Sequence, residues 1–326
     1  MIVPEYWAEA RRTAQLGTKA INLHRFGWSN ISPEDAQAMA EARVQEALAR
    51  LRSGETLPRR ELKLPYNGSE GVPIREEVLA RHGEAVITRN AYGAHCLNTE
   101  QALFADIDFT SEFSLKSGLL GFALLNFLNL LLALQLRSSG VFLLCMLVSM
   151  PFSAAAARQV ERLLVGLRGG RLHLARQRVL AFLSTHPDWS LRLYQTPAGL
   201  RVLATHRPLG ARSEEARAFF RAVAADPIYV RMCLHQNCFR ARLSAKPWRI
   251  GISNSMRPRP GVWPVSPEKL PIRSAWIEAY EAKAAGYAAC RYLETLGTGQ
   301  IHAELHDLVE LHDRESGALR QDAPLA

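Results

Sequence analysis

The sequence predicts an α+β fold, one cytoplasmic domain with a mixed or antiparallel sheet, interrupted by a two-helix transmembrane hairpin. Three observations carry that reading. Two charge-free apolar runs, 118–136 and 141–157, flank the short polar tetrad Arg137-Ser138-Ser139-Gly140. At about 1.5 Å of rise per residue the runs reach roughly 28 and 25 Å, close to the hydrocarbon thickness of a bilayer. Strand-like segments bounded by turn residues lie on both sides of the runs, which argues for one domain split by an insertion. Cap signals mark several helix starts.

The domain boundaries follow. Residues 1–115 form the first part of the cytoplasmic domain, 116–158 the hairpin and 159–326 the second part. Lys116 precedes the first run, and Arg158, Arg162, Arg168 and Arg171 follow the second. The more basic flanks are expected on the cytoplasmic side, giving a multi-pass inner (cell) membrane protein with both flanking regions in the cytoplasm. The opening MIVPEYWAEARRT lacks the apolar stretch of a signal peptide, so insertion would depend on the hairpin.

In chain order, residues 1–60 read as helical, with Ser32-Pro33-Glu34-Asp35 as a cap, a first-position proline and first-turn acids. A loop over 55–75 and a short helix near 74–82 come next. Three strands are expected at 86–89, 93–97 and 102–109. Beyond the hairpin, 158–184 reads as a basic amphipathic helix or helix pair. Strands 190–196 and 200–206 are joined across Pro197-Ala198-Gly199. Ser213 caps a helix reaching about Ala225, and 238–243 alternates like another strand. A Pro-rich excursion covers 252–272, and Ser274 caps a helix running to Gly297.

Composition narrows the function classes. A net charge of +9 over 326 residues suits a partner of opposite sign: an anionic leaflet of the lipid bilayer, a nucleotide, a nucleic acid or another phosphorylated ligand. Five cysteines without a regular spacing read as reduced thiols. No phosphate-cradling glycine loop, dinucleotide fingerprint or nucleophile elbow is present.

Three segments could carry chemistry. In Phe104-Ala105-Asp106-Ile107-Asp108-Phe109 a strand places both carboxylates on one face, a donor set that suits Mg²⁺ or Mn²⁺; the plainer alternative is a pair of acids that meets arginines. His206, at the end of the second hairpin strand, is a candidate phosphate contact or acid–base group. In Phe239–Arg249, the alternation sets Arg240 and Arg242 on one face, with Lys246 and Arg249 beyond, as phosphate contacts, and Trp248 as a base-stacking ring. Cys233-x-His235-x₂-Cys238 and His302-x₃-His306 are weaker zinc patterns.

Taken in order, the acidic pair Asp106-Ile107-Asp108, the element Ala204-Thr205-His206 and a later aspartate resemble the motifs of the archaeo-eukaryotic primase superfamily. That resemblance implies a metal-dependent nucleotidyl transferase. Asp106 and Asp108 would ligate metal, with Asp313, or less favourably Asp226 or Asp307, as the third acid. His206 would contact the triphosphate. The competing class is a non-catalytic membrane-associated scaffold, whose basic strand face and arginine-rich 158–178 segment bind anionic lipid or a protein partner.

Overall fold

The computed structural model describes residues 3–16, 19–57, 72–109, 115–258 and 263–326. The loop expected over 55–75 and part of the 252–272 excursion lie outside them.

The chain opens with two long strands, β1 (Tyr6–Leu16) and β2 (Lys19–Ser29), paired antiparallel. The alanine-rich start reads as helix on propensity alone. Pairing overrides that preference, because alternate residues Ala10, Ala14 and Leu23 bury against Ala40, Val44 and Leu48 of α1 (Pro33–Arg52). Ser32 caps α1 as expected, accepting from the Asp35 amide at 3.1 Å. The hairpin and helix meet at Gly27, where any Cβ would come within 2.1 Å of the Ala36 carbonyl.

Next come β3 (Glu77–His82), where a short helix was expected, β4 (Ala85–Arg89), β5 (His95–Thr99) and β6 (Phe104–Asp108). The apolar runs then form α2 (Leu115–Leu136) and α3 (Ser139–Leu167). The expectation of a transmembrane hairpin, and with it a multi-pass inner-membrane location and an integral membrane protein, is overturned. Among the described residues no helix is long and apolar enough to cross a membrane. The second run is not a helix of its own: α3 continues through Arg158, Glu161 and Arg162. Arg171 then ties this end back to the domain, pairing with Glu161 at 3.4 Å and donating to the Phe109 carbonyl. The two helices spend their small residues on each other, with Gly121 set against Ser153 and Ala157. Their outer faces leave large apolar side chains such as Phe127, Leu134 and Leu144 exposed.

After α4 (Gly170–Thr185) come β7 (Ser190–Thr196) and β8 (Gly199–Ala204), the hairpin expected here. Then follow α5 (Glu214–Val223), α6 (Pro227–Gln236) and β9 (Phe239–Arg242). The helix expected from Ser274 to Gly297 is in fact two elements: α7 (Leu270–Ala284) and the strand β10 (Arg291–Gly297), which pairs with β7. The chain finishes with α8 (His306–Glu315).

Besides the opening hairpin, the strands form two antiparallel four-stranded sheets, ordered β10-β7-β8-β6 and β3-β4-β5-β9. Ala105, Ile107, Leu200 and Val202 fill one face of the first sheet, in the same buried core as Val179 and Phe182 of α4 and Phe219 and Phe220 of α5. The other face carries Phe104, Asp106 and Asp108. β6 and β9 are edge strands of their sheets, and the two edges come together where one hydroxyl, that of Tyr229, bonds the backbone of both.

Candidate functional site

That meeting line is bridged by side chains. The Tyr229 hydroxyl donates to the Phe104 carbonyl of β6 at 3.0 Å and accepts from the Arg240 amide of β9 at 3.4 Å. Arg201 of β8 reaches across to the Arg242 carbonyl at 3.0 Å. Beside these bridges opens a cavity of about 370 Å³, within the size range of small-ligand sites.

One wall is acidic. Asp106 and Asp108 project together from β6, as the alternation of a strand requires, and both line the cavity with Asp226. Asp226 arrives there because its amide bonds the Asp106 carbonyl at 2.8 Å. Its carboxylate caps α6, accepting from the amides of Ile228 at 3.1 Å and Tyr229 at 3.2 Å. Asp106 lies opposite Arg201 in the β6–β8 register and takes a forked pair from it, at 2.8 and 3.0 Å. Asp108 is the acid left facing the cavity. Partial burial, then the neighbouring Asp106 and Asp226, push its carboxyl above the usual range, while Lys246 and Arg249 pull it back.

The opposite wall is basic. Arg242, Lys246 and Arg249 line it, the last from the 3₁₀ turn Pro247–Ile250. Burial, then the charges of Arg242 and Arg249, lower the Lys246 pKa, while Asp108 and Asp106 pull it back up. Such crowding of like charges is what an anion would relieve. Arg242 has one nitrogen committed to the carbonyls of Ser244 and Ala326. Arg240, although it lines the cavity, is held by Glu76 at 2.5 Å, so its charge is already met.

The sequence-expected residues therefore divide. Asp106, Asp108, Arg240, Arg242, Lys246 and Arg249 share one cavity. Trp248 stands beside it, with the Lys246 ammonium 5.5 Å from its ring centre. His206 does not line the cavity; its ring packs against Trp189, tilted by 32° with centroids 4.3 Å apart, and burial and Arg207 lower its pKa. Asp313 is buried beneath the same sheet face, paired with Arg192 at 2.5 Å and His312 at 3.2 Å. The acidic pair of the primase-like order thus reaches the cavity, whereas its histidine and its favoured third acid do not. Asp226, the less favoured one, does.

Both Asp106 oxygens are held by Arg201 and both Asp226 oxygens by amides, leaving Asp108 alone uncommitted. Among the described residues no three His, Cys, Asp or Glu side chains are arranged to hold a metal ion. The residues do not fit a preformed Mg²⁺ or Mn²⁺ centre. The zinc patterns fare no better: Cys233 and Cys238 are buried while His235 is exposed, and His306 pairs with Glu310 at 3.5 Å.

Sequence reasoning missed Arg201, Glu76 and Tyr92, the last a further residue of the cavity wall. The α6 start was legible, since Asp226-Pro227 is a cap followed by a first-position proline. Comparison of the chain with known families, characterised proteins and solved structures gives no match, so its function has to be read from the cavity itself.

Proposed function

We propose that the chain binds a phosphorylated ligand in the cavity between β6 and β9. The observation that carries this reading is the basic wall. Lys246 lines the cavity beside Arg242 and Arg249, its ammonium form disfavoured by burial and by their charges, and a phosphate there would accept charge-assisted hydrogen bonds from it. The acidic wall sets orientation: Asp108 repels a second anion and, when protonated, can donate a hydrogen bond to a phosphate oxygen. Arg201 and Tyr229 hold the two sheet edges at a fixed separation and have no direct part in binding.

Titration calorimetry with inorganic triphosphate tests this. Wild-type protein should bind, and Lys246→Ala should weaken binding about tenfold, equivalent to about 1.4 kcal/mol. Affinity should fall as salt rises, because solvent-reachable charges are screened. Absence of binding, or binding undiminished in a Lys246→Ala/Arg249→Ala double variant, would refute the proposal.

A further inference from the structure

Next to the charged cavity lies a second one, of about 310 Å³ and of different chemistry. Its wall includes Tyr92, Pro247, Trp248, Ile252, Met256 and Trp276. Three aromatic rings, a proline and a thioether around one space form a surface suited to a flat, apolar-faced group.

The rings are fixed rather than loosely placed. Trp276 stacks on Tyr280 at 5.3 Å with 9° between planes, and its indole nitrogen donates to the Asn254 carbonyl at 3.1 Å. Gly93 makes room for it: at φ +101°, a Cβ there would fall 2.3 Å from the Trp276 ring. Tyr92 meets Trp248 edge-on, with centroids 5.2 Å apart.

The two cavities also adjoin. Tyr92 belongs to both walls. Lys246 lines the charged cavity while its ammonium sits 5.5 Å from the centre of the Trp248 ring that walls the other. A phosphate on Lys246 is therefore one side chain away from an aromatic surface. Trp248 keeps 57% of its area exposed, a large apolar surface left open at a cavity rim, which is where a ligand would cover it.

We infer that the ligand is a nucleoside phosphate, with its phosphates on Lys246 and Arg249 and its base in the second cavity against Trp248. This deepens the phosphate reading and depends on it. Inorganic phosphates and sugar phosphates would leave the aromatic cavity empty; a base would fill it, and stacking on a tryptophan is indifferent to which base it is.

ATP and inorganic triphosphate, compared by calorimetry in EDTA at equal ionic strength, separate the two claims. ATP should bind at least tenfold tighter than triphosphate, and should quench tryptophan fluorescence where triphosphate does not. Trp248→Ala should bring ATP down to the affinity that the same variant shows for triphosphate; Trp248→Phe should restore part of the difference. An unchanged melting temperature would show that removing this exposed ring leaves the fold intact. Equal affinity of the two probes, or an ATP affinity indifferent to Trp248→Ala, overturns the inference and leaves the phosphate reading standing. Failure of both probes to bind overturns the two together.

Discussion

Replacing Asp106 with asparagine would leave the Arg201 guanidinium, whose side chain is 4% exposed, without its counter-charge. The native pair is forked, with Nε and Nη2 donating to separate oxygens at 2.8 and 3.0 Å. Arginine does not shed its proton in a protein, so the buried charge would persist. Removing one partner of a buried pair costs about 3–5 kcal/mol. Two features favour the lower end, about 3 kcal/mol: asparagine still offers one acceptor, and Arg201 keeps its bond to the Arg242 carbonyl. Arg201→Met strands the other partner, but Asp106 is 27% exposed on the cavity side, where water or a proton can reach it. That variant should lose less, about 2 kcal/mol. Urea unfolding followed by tryptophan fluorescence measures both. The double variant should lie at least about 1 kcal/mol above the sum of the singles. If Asp106→Asn unfolds within about 1 kcal/mol of wild type, Asp106 is not a structural anchor and the division of roles between Asp106 and Asp108 is wrong.

Asp108 should behave in the opposite way. Its folded-state pKa lies above its unfolded one, so its contribution favours the fold below the unfolded value and is lost as pH rises through the folded value. Asp108→Asn should therefore be more stable than wild type near neutral pH, with the gap closing on acidification; equal stability at every pH would contradict the crowded acidic wall. Gly93→Ala forces a strained backbone and a clash with Trp276. It should cost about 1–3 kcal/mol in thermal melts, and an unchanged melting temperature would disprove the close approach. MgCl₂ without a phosphate ligand should leave the melting temperature where it was, since Asp108 alone is uncommitted; a saturable stabilisation abolished by Asp108→Asn would show a metal centre after all. Finally, Cys145 is partly exposed while Cys96, Cys233, Cys238 and Cys290 are buried, so brief alkylation of native protein should label Cys145 first, and early labelling of Cys290 would contradict the packing.

What the sequence disclosed depended on the range of the interaction. Asp106 and Asp108 were legible because a strand puts i and i+2 on one face by geometry alone. The same logic found Arg240 and Arg242 as a pair. It could not tell that Glu76 neutralises the first and that the Ala326 carbonyl engages the second, because these partners come from distant segments. Arg201 gave no local signal at all; its role follows from strand register, which places it opposite Asp106. The β1–β2 hairpin was misread for a related reason. Alanines at 8, 10 and 14 favour helix in isolation, and only the packing of alternate residues on α1 decides otherwise. The apolar runs misled in the reverse direction: their composition matched a bilayer, while the helix containing the second run continues through Arg158, Glu161 and Arg162, and Arg171 of α4 pairs with Glu161 to anchor it to the domain.

The cavity follows from how two sheets end. An edge strand presents unpaired amides and carbonyls that must be capped, covered or paired. Here β6 and β9 do not zip into one continuous sheet. Tyr229 instead meets one backbone group on each edge through a single hydroxyl, Arg201 meets a carbonyl on β9, and the Asp226 amide meets a carbonyl on β6. These bridges stand in place of a ladder, and the cavity opens beside them. Strand alternation then decides its chemistry, since the residues not facing the apolar core must face the cavity: acids from β6, arginines from β9. Charge of both signs in one pocket is thus a product of the topology, and the segment after β9 adds Lys246 and Arg249 to its basic lining.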